Sequence, residues 1–121
     1  KKKFYLFNKG NHHRDYTHID DVVKIILGLI KKNIKDNFYI FNVCSKKTVP
    51  INKLVKLISD KVKTKPLLIY RKRNKIEVLK THGDNRKILK FLNLKIEKKI
   101  FIELPKIIDW YKKNRIWQIK N

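Results

Sequence analysis

Apolar residues along the chain fall into short blocks separated by lysine-rich stretches, and the spacing inside each block predicts an element. Phe4-Tyr5-Leu6-Phe7 favours extended backbone and is ended by the turn-forming Asn8-Lys9-Gly10-Asn11, so a short strand is expected. From Asp20 to about Lys32 the pattern is helical. Val22, Val23, Ile26, Leu27 and Ile30 gather on one broad face, with Asp20 or Asp21 as the expected cap. Lys31 and Lys32 then sit where a helix C-terminus favours cations. Residues 38–43 are apolar and β-rich along their length apart from Asn42, as in a strand buried on both faces of a parallel sheet.

Thr48 and Pro50 open the next helix, with Ile51, Leu54, Val55, Ile58 and Val62 at helical spacing. Pro66-Leu67-Leu68-Ile69-Tyr70 predicts another strand, followed by a cationic stretch from Arg71 to Lys75. Asp84 is expected to cap a short helix through about Leu92, with Ile88, Leu89 and Leu92 inward. The last helix is expected from about Phe101 to Lys113, with Leu104, Ile107, Ile108 and Tyr111 inside and Pro105 in its first turn. Strands alternating with helices give an α/β class. The 121 residues allow one domain.

Composition narrows the function classes. With 42% hydrophobic and 35% charged residues the chain should be globular, and no apolar run reaches the roughly 18 residues of a membrane helix. No signal-peptide pattern follows the basic start. The net charge of +22 invites a nucleic-acid reading. Against it, only five of the 32 basic residues are arginines, alanine is absent, and isoleucine and asparagine are abundant. A/T-rich codons produce that skew, and the lysines are spread along the chain rather than gathered in one stripe. Lone Cys44 excludes a disulfide framework and suits a reducing, cytoplasmic setting. His12, His13, His18 and His82 lack a zinc-ligand spacing, so no metal is expected. Methionine is absent even at position 1, which suggests a processed chain or a fragment. No set of nucleophile, base and orienting group stands out, so no catalytic residue is assigned.

Four ordered stretches carry a resemblance. The stretch from Asn8-Lys9-Gly10 through Arg14-Asp15-Tyr16-Thr17-His18-Ile19-Asp20-Asp21-Val22 resembles the extended short-chain dehydrogenase/reductase family. Its NAD-dependent nucleotide-sugar epimerases and dehydratases have a Gly, a short gap, Arg-Asp-Tyr/Phe, an aromatic or His, Val/Ile and Asp. Phe41-Asn42-Val43-Cys44-Ser45, then Val49-Pro50, is similar to the family's Tyr-Asn-Ile-Gly-Asn-Ser. Glu77-Val78, Thr81-His82-Gly83-Asp84 and Lys87-Ile88 are similar to its Gly-Asp-Val, Thr-Tyr-Ala-Asp and Lys-Leu. Ile108-Asp109-Trp110-Tyr111-Lys112 resembles a closing helix ending in Trp-Tyr-Lys. Together they cover almost the whole chain and look most like UDP-glucuronate 4-epimerases.

The resemblance implies that residues 1–121 form the C-terminal, nucleotide-sugar-binding region of an extended Rossmann-type epimerase. This region would include the enzyme's last sheet strand and helix, without the N-terminal cofactor-binding half. Arg14 would grip the diphosphate of a UDP-sugar, a task suited to a planar guanidinium. Glu77 would accept hydrogen bonds from the ribose hydroxyls, Arg73 would add a second cation, and Phe7 would line the uracil site. The residues alone leave plainer readings open: an arginine bridging to Asp15, a solvated glutamate and a core phenylalanine. Asn74 stands where some members carry their second arginine, and Cys44 replaces the usual Gly.

The cofactor implied is NAD, but the glycine-rich fingerprint and the Tyr-x-x-x-Lys pair that would bind and use it are absent from this chain. The expected partners are therefore a UDP-sugar, the missing Rossmann half and a second subunit of the complete enzyme, with no specific nucleic acid and no membrane. Without the missing half, residues 19–30 and 38–43 should lack their partners and expose apolar surface, with poor solubility of the isolated chain. A small basic nucleic-acid-binding module and a functionless gene remnant are the alternatives.

Overall fold

The computed structural model describes residues 3–35 and 38–114; Lys1, Lys2 and Arg115 lie outside them. Two small sheets and four helices make up the described residues. Strands β1 (Lys3–Phe7) and β4 (Leu67–Arg71) pair in parallel, while β2 (His13–Asp15) and β3 (Thr48–Pro50) pair antiparallel, with Arg14 opposite Val49. A single 3-10 turn, Asn8–Gly10, joins β1 to the approach of β2. Gly10 has φ +73° there, and a Cβ would lie 2.9 Å from the backbone nitrogen of Asn52. Both the left-handed turn and the close approach therefore require glycine.

Helix α1 (Ile19–Lys31) packs on α3 (Arg86–Leu92), and α2 (Ile51–Val62) packs on α4 (Ile100–Lys113). The buried apolar set is small: Leu6, Ile25, Cys44, Val49, Leu54 and Ile88. No helix among the described residues is long and apolar enough to cross a membrane. The expected helices all form, with differences that have physical causes. His18, rather than Asp20 or Asp21, caps α1 through Nδ1, which accepts from the Asp20 amide at 3.2 Å. Asp20 and Asp21 sit one step later, where their charge still favours the helix start. Helix α4 begins at Ile100, so Pro105 falls in the second turn and removes an intrahelical donor that a first-turn proline would not. Of the side chains expected inside α4, Ile107 and Tyr111 remain part-exposed, and the buried residue is Glu103. Lys106 donates to Glu103 at 3.0 Å, and that bond, ahead of the Lys98 charge, holds the carboxyl below its ordinary range.

Residues 38–43 do not join a sheet. Tyr39 and Phe41 stack on one another at 5.6 Å and both meet Phe91 of α3. Phe38 and Ile40 point outward, 79% and 65% exposed. The alternation of a strand is present, but no neighbouring strand among the described residues supplies a hydrogen-bond ladder. The apolar stripe of α1 faces solvent too: Ile19, Val23, Ile26, Leu27 and Ile30 are all exposed, whereas Asp21 and Ile25 turn inward.

Gly83 packs directly on Cys44. A Cβ at position 83 would stand 2.5 Å from the Cys44 Sγ and 2.9 Å from its Cβ, closer than atoms can approach. The absence of a side chain at 83 thus makes room for the Cys44 thiol. Burial accordingly pushes the Cys44 thiol above its ordinary value. Gly83→Ala should destabilise the chain by about 1–3 kcal/mol in urea unfolding. Gly83→Ala combined with Cys44→Gly should lie nearer wild type than the two single losses added together; simple additivity would refute the contact.

A second expectation concerns Asp84, whose carboxylate accepts from the Arg86 side chain and backbone at 2.6–3.1 Å. The Arg86 hydrogen bonds lower its pKa from 3.8 to about 2. A depressed acid stabilises the fold above its unfolded value and loses that contribution as pH falls through about 2. Carboxyl NMR titration should therefore place Asp84 well below ordinary aspartates, and Arg86→Ala should return it toward them.

Candidate functional site

Strand β2 organises the site because both of its neighbours pin it. Its Asp15 carboxylate accepts from the Ser45 amide at 2.9 Å and hydroxyl at 2.5 Å through Oδ1. Through Oδ2 it accepts from the amides of Lys46 and Gly83, at 3.0 and 3.3 Å. On the other side the His13 amide donates to the Leu79 carbonyl at 2.8 Å, and the Thr81 amide donates to the His13 carbonyl at 3.0 Å. The His12 carbonyl accepts from the first amide of α2, Ile51, at 3.0 Å. Residues 12–15 are thereby fixed to three segments remote in sequence.

This clamping brings the loop that carries Glu77 beside Arg14. The Arg14 Nη2 lies 3.9 Å from the Glu77 Oε1, and the His12 Nε2 lies 3.6 Å from Oε2. Arg14 also donates through Nη1 to the His13 carbonyl at 2.9 Å and leans toward the Leu79 carbonyl at 3.5 Å. Its side chain keeps 24% exposure and that of Glu77 keeps 40%, so both can meet a ligand from solvent. Arg73 joins from the same loop, Nη2 donating to the Glu77 carbonyl at 3.4 Å. Asn74 folds the loop locally: its Oδ1 accepts from the Ile76 amide at 3.1 Å.

Of the residues singled out from the sequence, Arg14, Glu77 and Arg73 thus come together. Phe7 does not share those contacts; it ends β1 opposite Arg71 and is 43% exposed. His12 was missed, because nothing in a His-His pair reveals which ring turns inward. It is 2% exposed, and its Nε2 has no hydrogen-bond partner. A groove of about 790 Å³ runs between Tyr16, Thr48 and the start of α4 and includes none of these residues. Burial in that region pushes the Tyr16 hydroxyl above its ordinary value, with the Arg14 charge opposing.

Two cations and one acid on a rigid strand and its neighbouring loop can bind an anion and a hydroxyl-bearing group beside it. They do not fit a dinucleotide cofactor. Gly10, Gly28 and Gly83 pack against Asn52, Leu92 and Leu94, and Cys44, respectively, and none forms a phosphate cradle.

No protein-family model matches the chain. An uncharacterized protein of Methanocaldococcus jannaschii is 31% identical over 119 residues, which is 98% of this chain and 36% of that protein. Protein CapI of Staphylococcus aureus is 24% identical over 122 residues, covering 88% of this chain and 36% of its own length. The chain thus spans about a third of the length of the curated relatives it matches.

Among solved structures, the fold is similar to UDP-glucose 4-epimerase from Thermotoga maritima with UDP-glucose, at a TM-score of 0.79 and 24% identity. It covers 94% of this chain and 36% of that one. UDP-glucuronic acid 4-epimerase from Bacillus cereus, bound to UDP-glucuronic acid and NAD, gives 0.79 at 19% identity, covering 93% and 36%. A dTDP-glucose 4,6-dehydratase from Streptomyces venezuelae with NAD bound gives 0.80 at 19% identity, covering 95% and 35%.

The clamp makes a prediction independent of any ligand. Asp15→Ala should cost about 2–4 kcal/mol in urea unfolding, because four donors lose a charged acceptor. Asp15→Asn should recover only part of this, since its amide nitrogen cannot accept. The chain is α/β, and its fold matches about a third of the length of each of these nucleotide-sugar epimerase and dehydratase structures.

Proposed function

We propose that this chain supplies the nucleotide side of a UDP-sugar site in an NAD-dependent 4-epimerase of the UDP-glucuronate/UDP-galacturonate type. The carrying observation is that Arg14 and Glu77, far apart in sequence, meet at 3.9 Å with Arg73 on the same loop. Arg14 forms paired charge-assisted hydrogen bonds to the diphosphate, and Arg73 adds positive charge beside it. Glu77 accepts from the ribose hydroxyls, and Phe7 offers an apolar surface to the uracil.

The neighbours act on different sugar nucleotides, so the glucuronate assignment rests on the resemblance of the Asn8-Lys9-Gly10 start and the Asp109-Trp110-Tyr111-Lys112 close. NAD, the oxidation of the sugar and the proton transfer belong to an N-terminal Rossmann half outside these residues. The exposed stripe of α1 and residues 38–43 are the surface that such a half would cover. The setting is cytoplasmic, the role is sugar-nucleotide supply for surface polysaccharide, and the complete enzyme is a homodimer. Alone, the chain is inactive.

Calorimetry should detect weak UDP binding that falls at least about tenfold in Arg14→Ala, the loss of a charge-assisted pair. Equal affinity in the variant would remove Arg14 from the site. Binding to duplex DNA that persists at physiological salt would favour a nucleic-acid module instead.

A further inference from the structure

His12 is a buried polar side chain to which the nucleotide reading gives no task. Its backbone is held on both sides, by Ile51 at the start of α2 and, through His13, by the strand-like contact with residues 79–81. Its Nε2 is sealed from solvent without a hydrogen-bond partner, an arrangement that folded proteins avoid. The Glu77 Oε2 lies 3.6 Å from it, while Oε1 faces Arg14 at 3.9 Å. The carboxylate thus stands between a buried imidazole and an exposed site.

At 3.9 Å the Arg14 guanidinium is an ion-pair neighbour of Glu77 and not a hydrogen-bond donor to it, which leaves it free to serve a diphosphate. The carboxylate can take a donor from behind, and the His12 ring is a fraction of an ångström from hydrogen-bonding distance. We infer that His12 is a positioning residue. Its Nε2–H donates to the Glu77 Oε2 in the nucleotide-bound state, aims Oε1 at the ribose hydroxyls, and so sets the preference for ribonucleotides over deoxyribonucleotides. The inference rests on the nucleotide reading above and gives that site its selectivity. His12 itself touches no ligand, because its nitrogen lies behind the carboxylate.

The test compares UDP with 2′-deoxy-UDP on the intact chain by calorimetry. Wild type should prefer UDP by about tenfold, the effect of one hydrogen bond to a charged acceptor. His12→Leu should reduce that ratio to about two- or threefold while leaving 2′-deoxy-UDP affinity within about twofold of wild type. His12→Gln keeps an N–H donor and should retain most of the preference. In a Glu77→Gln background, His12→Leu should change the ratio no further. An unchanged ratio in His12→Leu, or equal weakening of both nucleotides in His12→Leu and His12→Gln, would overturn the positioning role. Absence of UDP binding that depends on Arg14 in wild type would instead overturn the nucleotide reading on which it stands.

Discussion

Both oxygens of the Asp15 carboxylate accept hydrogen bonds, and through them the 44–47 turn and the 81–84 loop are fixed to one short strand. A three-residue strand has little stability of its own. Held by a charged acceptor with four donors, it becomes the reference from which Arg14 projects on one side and His13 pairs on the other. The loop carrying Glu77 is attached through that second pairing. Asp15 thus helps to set the 3.9 Å separation of Arg14 and Glu77 without touching either side chain's charged end.

Much of this architecture was legible in the sequence, and what was not has a definite cause. Periodicity located all four helices because their apolar spacing is local information. It could not tell which face of α1 is covered, since five apolar residues on one side normally mean a core and here lie in solvent. β3 was read as the run-up to α2, because Thr48-Val49-Pro50 becomes a strand only by pairing with residues 13–15. Arg14 and Glu77 were associated by resemblance; no spacing rule links positions 63 apart. His12 was invisible, because burial of one ring in a His-His pair depends on where Ile51 and Glu77 arrive.

The two pairs of helices differ in what completes them. α2 and α4 pack on each other, joined also by Lys61 to Asp109 at 2.8 Å. α1 and α3 meet through a narrow seam in which Gly28 fits against Leu92 and Leu94, leaving the broader apolar side of α1 uncovered. A stripe of that extent is uncommon on a finished surface and characteristic of a protein–protein or interdomain contact. Arg14 and Glu77 belong to other elements, β2 and the loop between β4 and α3.

The outward faces of Phe38 and Ile40 carry a consequence for solution behaviour. Residues 38–43, five of them apolar or aromatic and none a proline, glycine or charged residue, have the composition of segments that stack into cross-β assemblies. Lysines stand on both flanks, Lys31, Lys32 and Lys35 before the segment and Lys46 and Lys47 after it. In-register stacking would pile those ammonium groups on one another at each 4.7–4.8 Å repeat, about half a Debye length at 0.15 M salt. The flanking lysines therefore act as gatekeepers for a segment whose sheet partners the described residues do not provide.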